Sequence, residues 1–387
     1  MSGRALRLLL LADTHLGFDR PRRPRVQRPR RGEDFFDRYR DALAPALAGE
    51  VDAVVHGGDL LFRSRVPASL IAESMAPLFR VADAGVPVIL VPGNHERSRI
   101  PFPLLSRHAG VHILDRPRTV ELEMAGHTVA FGGFPYRHRM ADGGFSAALD
   151  ETALLDSRAP IRLLCLHQLV EGARVGVQDF VFRRAPDVIR ARELPAGVAA
   201  VLSGHVHRGQ LLTRDLAGRS LPAPFVYPGS TERTSFDERE ERKGTVRLWL
   251  RGGPRPGGRL EGLRFDELPV RPMSWIRLEV PAADGGDLLD RVRRTLAPLA
   301  ADAVVHLRLE GPGAPDALAR LTRHTLETLA PPRMIVTAGP FGRPSAMRPQ
   351  RGGQTPRIPV NTGLREIVEP GRAPRMDTFF PGLVSGA

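Results

Sequence analysis

The stretch Arg7-Leu8-Leu9-Leu10-Leu11-Ala12-Asp13-Thr14-His15-Leu16-Gly17 decides the fold. Its apolar run is far too short to cross a bilayer and is broken at once by Asp13, the pattern of a buried strand that delivers polar residues at its carboxyl end. The pattern returns at residues 53–56, 87–91, 128–131, 161–166 and 198–202, most of them closed by Gly, Asn, Asp or His. Between the first two runs Phe36, Tyr39, Leu43 and Leu47 recur at helical spacing. Between the next two Ile71, Met75, Leu78 and Ala82 do the same, closed by Gly85 and Pro87. This alternation predicts an α/β domain, a sheet covered by helices on both faces.

Length and composition set the bounds. The 387 residues suit two domains and a tail. The expected divisions are a main domain over 1–250, a Gly/Pro-rich linker over 251–262, a small α+β capping domain over 263–338, and a poorly ordered Pro/Gly/Arg-rich tail over 339–387. The net charge of +13 would favour polyanionic partners, but Lys243 is the only lysine among 56 basic side chains, which reads as a coding bias and shifts attention to local patches. The single cysteine, Cys165, excludes an internal disulfide and a Cys-based zinc site, so any metal must come through His and carboxylates. With no run long enough to span a membrane, the expectation is a soluble, cytoplasmic protein.

Polar clusters follow the apolar runs: Asp13-Thr14-His15, Gly57-Gly58-Asp59, Gly93-Asn94-His95-Glu96, His167, and Gly204-His205-Val206-His207. Ligands of open α/β sheets bind beyond the carboxyl ends of the strands, where five such clusters converge. Taken singly, Asp13 and Asp59 read as helix caps, His167 as a core histidine and Asn94 as a turn residue. Taken together they do not, because capping explains neither D-x-H nor G-H-x-H spacing. A mixed oxygen and imidazole set suits Mn²⁺, Fe²⁺ or Zn²⁺ better than Mg²⁺ or Ca²⁺. Two ions about 3.5–4 Å apart and sharing a carboxylate would use all these ligands, the arrangement that clamps both oxygens of a displacement at phosphorus. Phosphoester hydrolysis is the implied reaction.

The order D-x-H, G-D, G-N-H, H, G-H-x-H resembles the calcineurin-like metallophosphoesterases. Asp13 to Gly17, Gly57 to Leu60, and Gly229-Ser230-Thr231-Glu232-Arg233 followed by Thr234-Ser235-Phe236 resemble their DNA-exonuclease branch, the SbcD-like and YhaO-like nucleases. The resemblance implies two stacked sheets flanked by helices (αββα) and a smaller α+β capping domain. It further implies that Asp13, His15 and His207 bind one metal, that Asn94, His167 and His205 bind the other, and that Asp59 bridges them. His95 would contact the scissile phosphate as the catalytic residue, and a water activated by the two metals, most readily Mn²⁺, would attack. DNA, an SbcC-like coiled-coil ATPase and a second copy of the chain are the partners it implies. The sequence departs from the family at Glu96, where Asp is usual, and at Phe62, where a polar residue is more common.

The segment Arg20, Arg22, Arg23, Arg25, Arg28, Arg30 and Arg31, interleaved with prolines, follows the first cluster directly and is the candidate DNA-backbone contact. The leading function is thus a metal-dependent DNA exonuclease in end processing and repair. The alternatives are a phosphodiesterase or phosphatase on small nucleotides or phosphoproteins, since fold does not fix substrate, and a non-catalytic scaffold. Residues 361–368 and Phe379-Phe380 are the expected docking points for an ATPase.

Overall fold

The computed structural model describes residues 4–20, 30–96, 102–105, 108–176, 178–282 and 286–340. The main domain holds two six-stranded sheets face to face. In the first, strands β1 (Leu6–Leu11), β2 (Ala53–His56), β3 (Val88–Leu90) and β4 (Val111–Ile113) run parallel, and the hairpin of strands Gly244–Arg251 and Arg259–Glu267 adds antiparallel to β1. In the second, β5 (Arg118–Met124), β6 (His127–Gly133) and β7 (Ile161–Leu166) are followed across the sheet by Ala200–Ser203, Ser220–Tyr227 and Gln210–Arg214.

Alternation of side chains along a strand sorts the apolar residues into layers. Leu6, Leu8 and Leu10 of β1, with Ala53, Val55 and Ile89, meet Val129, Phe131, Leu163, Cys165 and Leu202 of the other sheet. Leu9 and Leu11, with Val54, Val88 and Leu90, point the other way, onto helices α1 (Gly32–Leu47) and α2 (Ala68–Asp83). Both faces of β1 are therefore buried, which is why it reads as an unbroken leucine run. On the outer face of the second sheet Ala130, Leu164 and Val201 pack with Phe145 and Ala148 of helix Gly144–Asp150. The layer order is helix, sheet, sheet, helix.

Three expectations change. Alternation alone pointed to one sheet with helices on both faces; instead β5 and β6 form an antiparallel hairpin that begins a second sheet, giving the two stacked sheets flanked by helices that the family resemblance implied. Residues 251–262 are not an interdomain linker: Gly257 and Gly258, with φ of +78° each, make the turn between Gly244–Arg251 and Arg259–Glu267. The capping domain accordingly begins at strand Met273–Glu279, not at 263. It is a three-stranded parallel sheet, Met273–Glu279, Val304–Glu310 and Ile335–Pro340, packed on helices Leu288–Leu296, Ala314–Arg320 and Arg323–Leu329. Its last strand was missed in the sequence because it abuts the Pro-rich tail, and it carries the domain past 338. Residues 361–368 and Phe379-Phe380 lie outside the described residues. Among the described residues no helix is long and apolar enough to cross a membrane.

Phe131 is fully buried between the sheets. Phe131→Ala is expected to cost about 3–5 kcal/mol of unfolding free energy, measured by urea denaturation, because the two sheets cannot both close on the cavity.

Candidate metal centre

The polar clusters leave five parallel strands at their carboxyl ends, three from the first sheet and two from the second. The D-x-H loop and the G-D loop are joined main chain to main chain. Asp13 N–H donates to Gly58 O at 2.9 Å, His15 N–H to Asp59 O at 3.0 Å, and Leu16 N–H to Leu60 O at 2.8 Å. The second sheet is joined to them by Gly204 N–H, which donates to Gly57 O at 3.1 Å, and by His205 N–H, which donates to the Asp13 carboxylate at 3.0–3.1 Å. Asp13, His15, Asp59 and His205 all take positive φ, 51°, 44°, 51° and 85°. Asp and His enter that region more readily than most side chains, and such strain persists where surrounding bonds over-determine it.

The candidate ligand atoms gather in three groups, Asp13 with His15 and His207, Asp59 with His167 and His205, and His15 with Asp59 and His95, which shares a residue with each of the others; the atoms of each group lie within 4.8 Å of one another. His15 Nε2 and His207 Nε2 are 2.9 Å apart. His167 Nε2 lies 3.0 Å from Asn94 Oδ1 and 3.4 Å from Asp59 Oδ2. The Nδ1–H of His167 donates to Gly57 O at 2.7 Å, which leaves Nε2 as the atom turned to the site, the usual way a protein orients an imidazole ligand. Nitrogen and oxygen atoms thus converge from three carboxylate or amide and four imidazole side chains, and the protons their rings share without metal are ones a cation displaces, so the residues fit divalent cations of the Mn²⁺, Fe²⁺ and Zn²⁺ kind. His95 sits at the rim, its side chain one-third exposed, with Nδ1 bonded to Phe62 O at 2.5 Å and Nε2 3.9 Å from Asp59 Oδ2.

The sequence profile of the calcineurin-like phosphoesterases matches residues 6–209, more than half of the chain. The chain belongs to that family. Among its relatives, a Methanosarcina mazei protein described as DNA double-strand break repair protein Mre11 is 30% identical over 282 residues, 72% of this chain and 40% of that protein. An Aeropyrum pernix protein with the same description is 23% identical over 308 residues, 75% of this chain and 67% of its own length. One from Haloferax volcanii is 40% identical over 93 residues, 24% of this chain and 20% of its own length. The match therefore spans well under two thirds of the Haloferax and Methanosarcina proteins.

Around the candidate ligands of this phosphoesterase lies a set of residues to which the sequence reading gave no place in the site. His207 Nδ1 bonds Glu238 Oε1 at 3.0 Å, and Glu238 in turn meets Lys243. His56, fully buried, donates from Nε2 to Thr14 Oγ1 at 3.1 Å and accepts Gly58 N–H on Nδ1, while the Thr14 hydroxyl donates to Leu60 O. Tyr136 covers the other side, its ring 5.3 Å from that of His205. The only signal for His56 was its place at the end of an apolar run; for Lys243 it was its solitude among the arginines.

Both departures from the family pattern find a geometric role. The longer Glu96 reaches Leu61 N–H at 2.6 Å and Gly93 N–H at 2.8 Å, so one carboxylate ties the second and third loops. Phe62 holds His95 through its carbonyl, and its ring packs edge-on to Phe18 and His15. The arginine segment is less uniform than expected. Arg20 is held by Glu33 and Glu73 above the Phe36 ring, and Arg31 is buried, donating to Glu232 at 2.8 Å and to Arg233 O. Arg31 is thus an interior ion-pair partner and not a backbone contact, because its guanidinium faces the protein. Arg30 lies 3.5 Å from Asp19. Arg22, Arg23, Arg25 and Arg28 lie outside the described residues.

Burial and neighbouring charge set the protonation states. Burial disfavours charge on His167 and His207, but the carboxylates of Asp59 and Glu238 outweigh it and raise both to about 9. Burial holds His56 and His205 down at about 3, with the His167 charge acting in the same direction. Burial also lifts Asp13 to about 6 and, together with Asp59, lifts Glu96 to about 8. Asp59 itself stays well below the usual carboxylate range: burial opposes this, but His167 beside it prevails. For a histidine with a raised folded pKa, the stability contributed is complete below the unfolded value of 6.5 and is lost as pH climbs through about 9. Glu96 adds the same sign between 4.5 and about 8. The metal-free chain is therefore expected to melt lower at about pH 8.5 than at about pH 6.5, and Mn²⁺, which competes with those protons, to raise Tm more at the higher pH. Melts in chelator and in Mn²⁺ check both signs.

Proposed function

We propose that this chain is a metal-dependent phosphodiesterase that hydrolyses DNA, acting at ends in the manner of SbcD-like exonucleases. The observation that carries the reading is the convergence of Asp13, His15, Asp59, Asn94, His167, His205 and His207 with His95 beside them at the solvent rim. Asp13, His15 and His207 would hold one cation, Asn94, His167 and His205 the other, with Asp59 shared. Mn²⁺ is the expected metal. When bound, the pair supplies Lewis acidity and an activated water at phosphorus.

The chain's own groups supply orientation and protons. With Nδ1–H donating to Phe62 O, His95 presents Nε2 to the rim, where the doubly protonated ring can contact the phosphate and donate to charge developing on an oxygen. The Asp59 carboxylate accepts His95 N–H at 2.9 Å, so the shared ligand also positions the loop that carries the proton donor. A DNA substrate is favoured by the descriptions of the relatives and by the likeness of the Gly229 to Arg233 segment to the DNA-exonuclease branch. On the same grounds an SbcC-like ATPase partner, a homodimer and a cytoplasmic location are part of the proposal.

The test is Mn²⁺-dependent digestion of end-labelled linear DNA beside hydrolysis of a chromogenic diester. His95→Ala is expected to lower both by about 10²–10⁴-fold while metal uptake stays at two ions. Asp59→Ala is expected to lose uptake and activity together, and Phe62→Ala, which keeps the main-chain acceptor, to stay within a few-fold of wild type. Diester hydrolysis with intact DNA, unchanged by an ATPase partner, would move the substrate to small nucleotides; a wild-type chain inert on both would overturn the enzymatic reading.

A further inference from the structure

Lys243 stands out on composition and on geometry alike. It is the only lysine in a chain where every other basic Lys/Arg position is arginine, and it is fully buried. Its ammonium donates to Glu238 Oε2 at 2.7 Å, Glu241 Oε2 at 2.9 Å and the main-chain oxygen of His207 at 2.9 Å. Three acceptors around one point match the three donors of an ammonium, whereas a planar guanidinium is larger and forks its donors in one plane. Arg31 and Arg162 are buried as arginines, so burial alone does not call for lysine; three acceptors converging on one point do.

The acceptors all lead to one place. Glu238 receives the Thr234 hydroxyl at 2.5 Å and the His207 Nδ1–H at 3.0 Å on Oε1, while Lys243 takes Oε2. Lys243 thus grips His207 twice, directly at its carbonyl and through Glu238 at its ring. The turn Phe236–Glu238 supplies the carboxylate, and Lys243 immediately precedes the strand Gly244–Arg251 that pairs with β1, so the grip is anchored in the first sheet while His207 follows a strand of the second.

We propose that Lys243 is a positioning residue for His207: with Glu238 it holds the imidazole with Nδ1 occupied and Nε2 turned to Asp13 and His15, and so governs one of the two metal positions and not the other. The inference rests on the two-metal reading above. His167, by contrast, is oriented by a main-chain carbonyl, Gly57 O, with no side chain in between. Among the described residues, a removable side-chain relay thus reaches the Asp13, His15 and His207 position through the His207 ring, while the His167 ring of the other position is held by main chain.

Mn²⁺ titration of the full chain by calorimetry separates the possibilities. Wild type is expected to take up two ions. Lys243→Met, which keeps length and removes the ammonium, should weaken one class by about 10–100-fold and leave the other at its wild-type affinity. A general loss of structure would weaken both classes together and lower Tm in chelator. Lys243→Arg should fail to restore the weakened class, since charge alone is not what the pocket reads. If Lys243→Met does not fold, Glu238→Gln decides by the same titration: it keeps an acceptor for His207 and loses the charge that holds Lys243. Two wild-type classes in the folded variants would overturn the relay alone. No Mn²⁺ uptake by the wild-type chain would overturn the two-metal reading and this inference with it.

Discussion

The carboxyl ends of the two sheets come together at Gly57 and Gly204, and the rest of the centre depends on that contact. A Cβ on Gly204 would stand 2.4 Å from Gly57 O and 2.8 Å from the Ala12 side chain, and one on Gly57 would stand 2.8 Å from Gly204 N. Nothing larger than hydrogen fits on either side. Because the strands are spliced there by Gly204 N–H to Gly57 O, the ligands of one sheet come within a few ångströms of those of the other. Sandwiches ordinarily keep their sheets about 10 Å apart, a distance side chains must fill. Here the gap closes at the carboxyl ends, where the polar clusters lie, and that end becomes the candidate site; at the other end Arg162 N–H reaches Gly257 O at 2.9 Å, away from those clusters.

A second consequence is electrostatic. Closing the sheets over Asp13, Asp59, His167 and His205 removes them from water, which penalises every isolated charge. The penalty is met by alternation: His167 between Asp59 and Gly57 O, His207 between Asp13 and Glu238, Glu238 between His207 and Lys243. Each buried charge thus faces an opposite charge or a dipole, and the chain of pairs runs outward from the ligands to a lysine with no solvent contact. The same network explains the strained backbone, since a loop carrying positive φ at Asp13, His15 and Asp59 relaxes unless its N–H groups are committed elsewhere.

Much of this was readable in the sequence, for reasons that are local. An apolar run that ends in Asp or His declares both a buried strand and the direction in which its polar end points, so β1, β2, β3, β7 and the ligand clusters stand out without any knowledge of pairing. Sheet membership does not, because it depends on which edges meet: nothing between Met124 and His127 marks the hairpin as the start of a second sheet, and a Gly/Pro-rich turn between two strands has the composition of a linker. Charge was the least legible property. Arg31 and Arg22 look alike in a string, yet Arg31 is an interior partner of Glu232, and only the tertiary fold supplies that acid 201 positions away. Lys243 was visible as an oddity of composition, but its meaning needed three acceptors from Glu238, Glu241 and His207.

The departures at Phe62 and Glu96 differ in which group does the bonding. At Phe62 the group that matters is the carbonyl that fixes His95 Nδ1, which every residue possesses, so the side chain is free to become part of an apolar wall beside Phe18 and His15. At Glu96 the group that matters is a carboxylate able to reach two N–H groups in different loops, and an added methylene changes the reach without changing the acceptor. Where orientation comes from the main chain, side-chain identity carries little information about function. Where it comes through a side chain, as for His207 on Glu238 and Glu238 on Lys243, the identity of each residue in the chain of bonds sets where the ring sits, so Glu238 and Lys243 carry more of the geometry than Phe62 does.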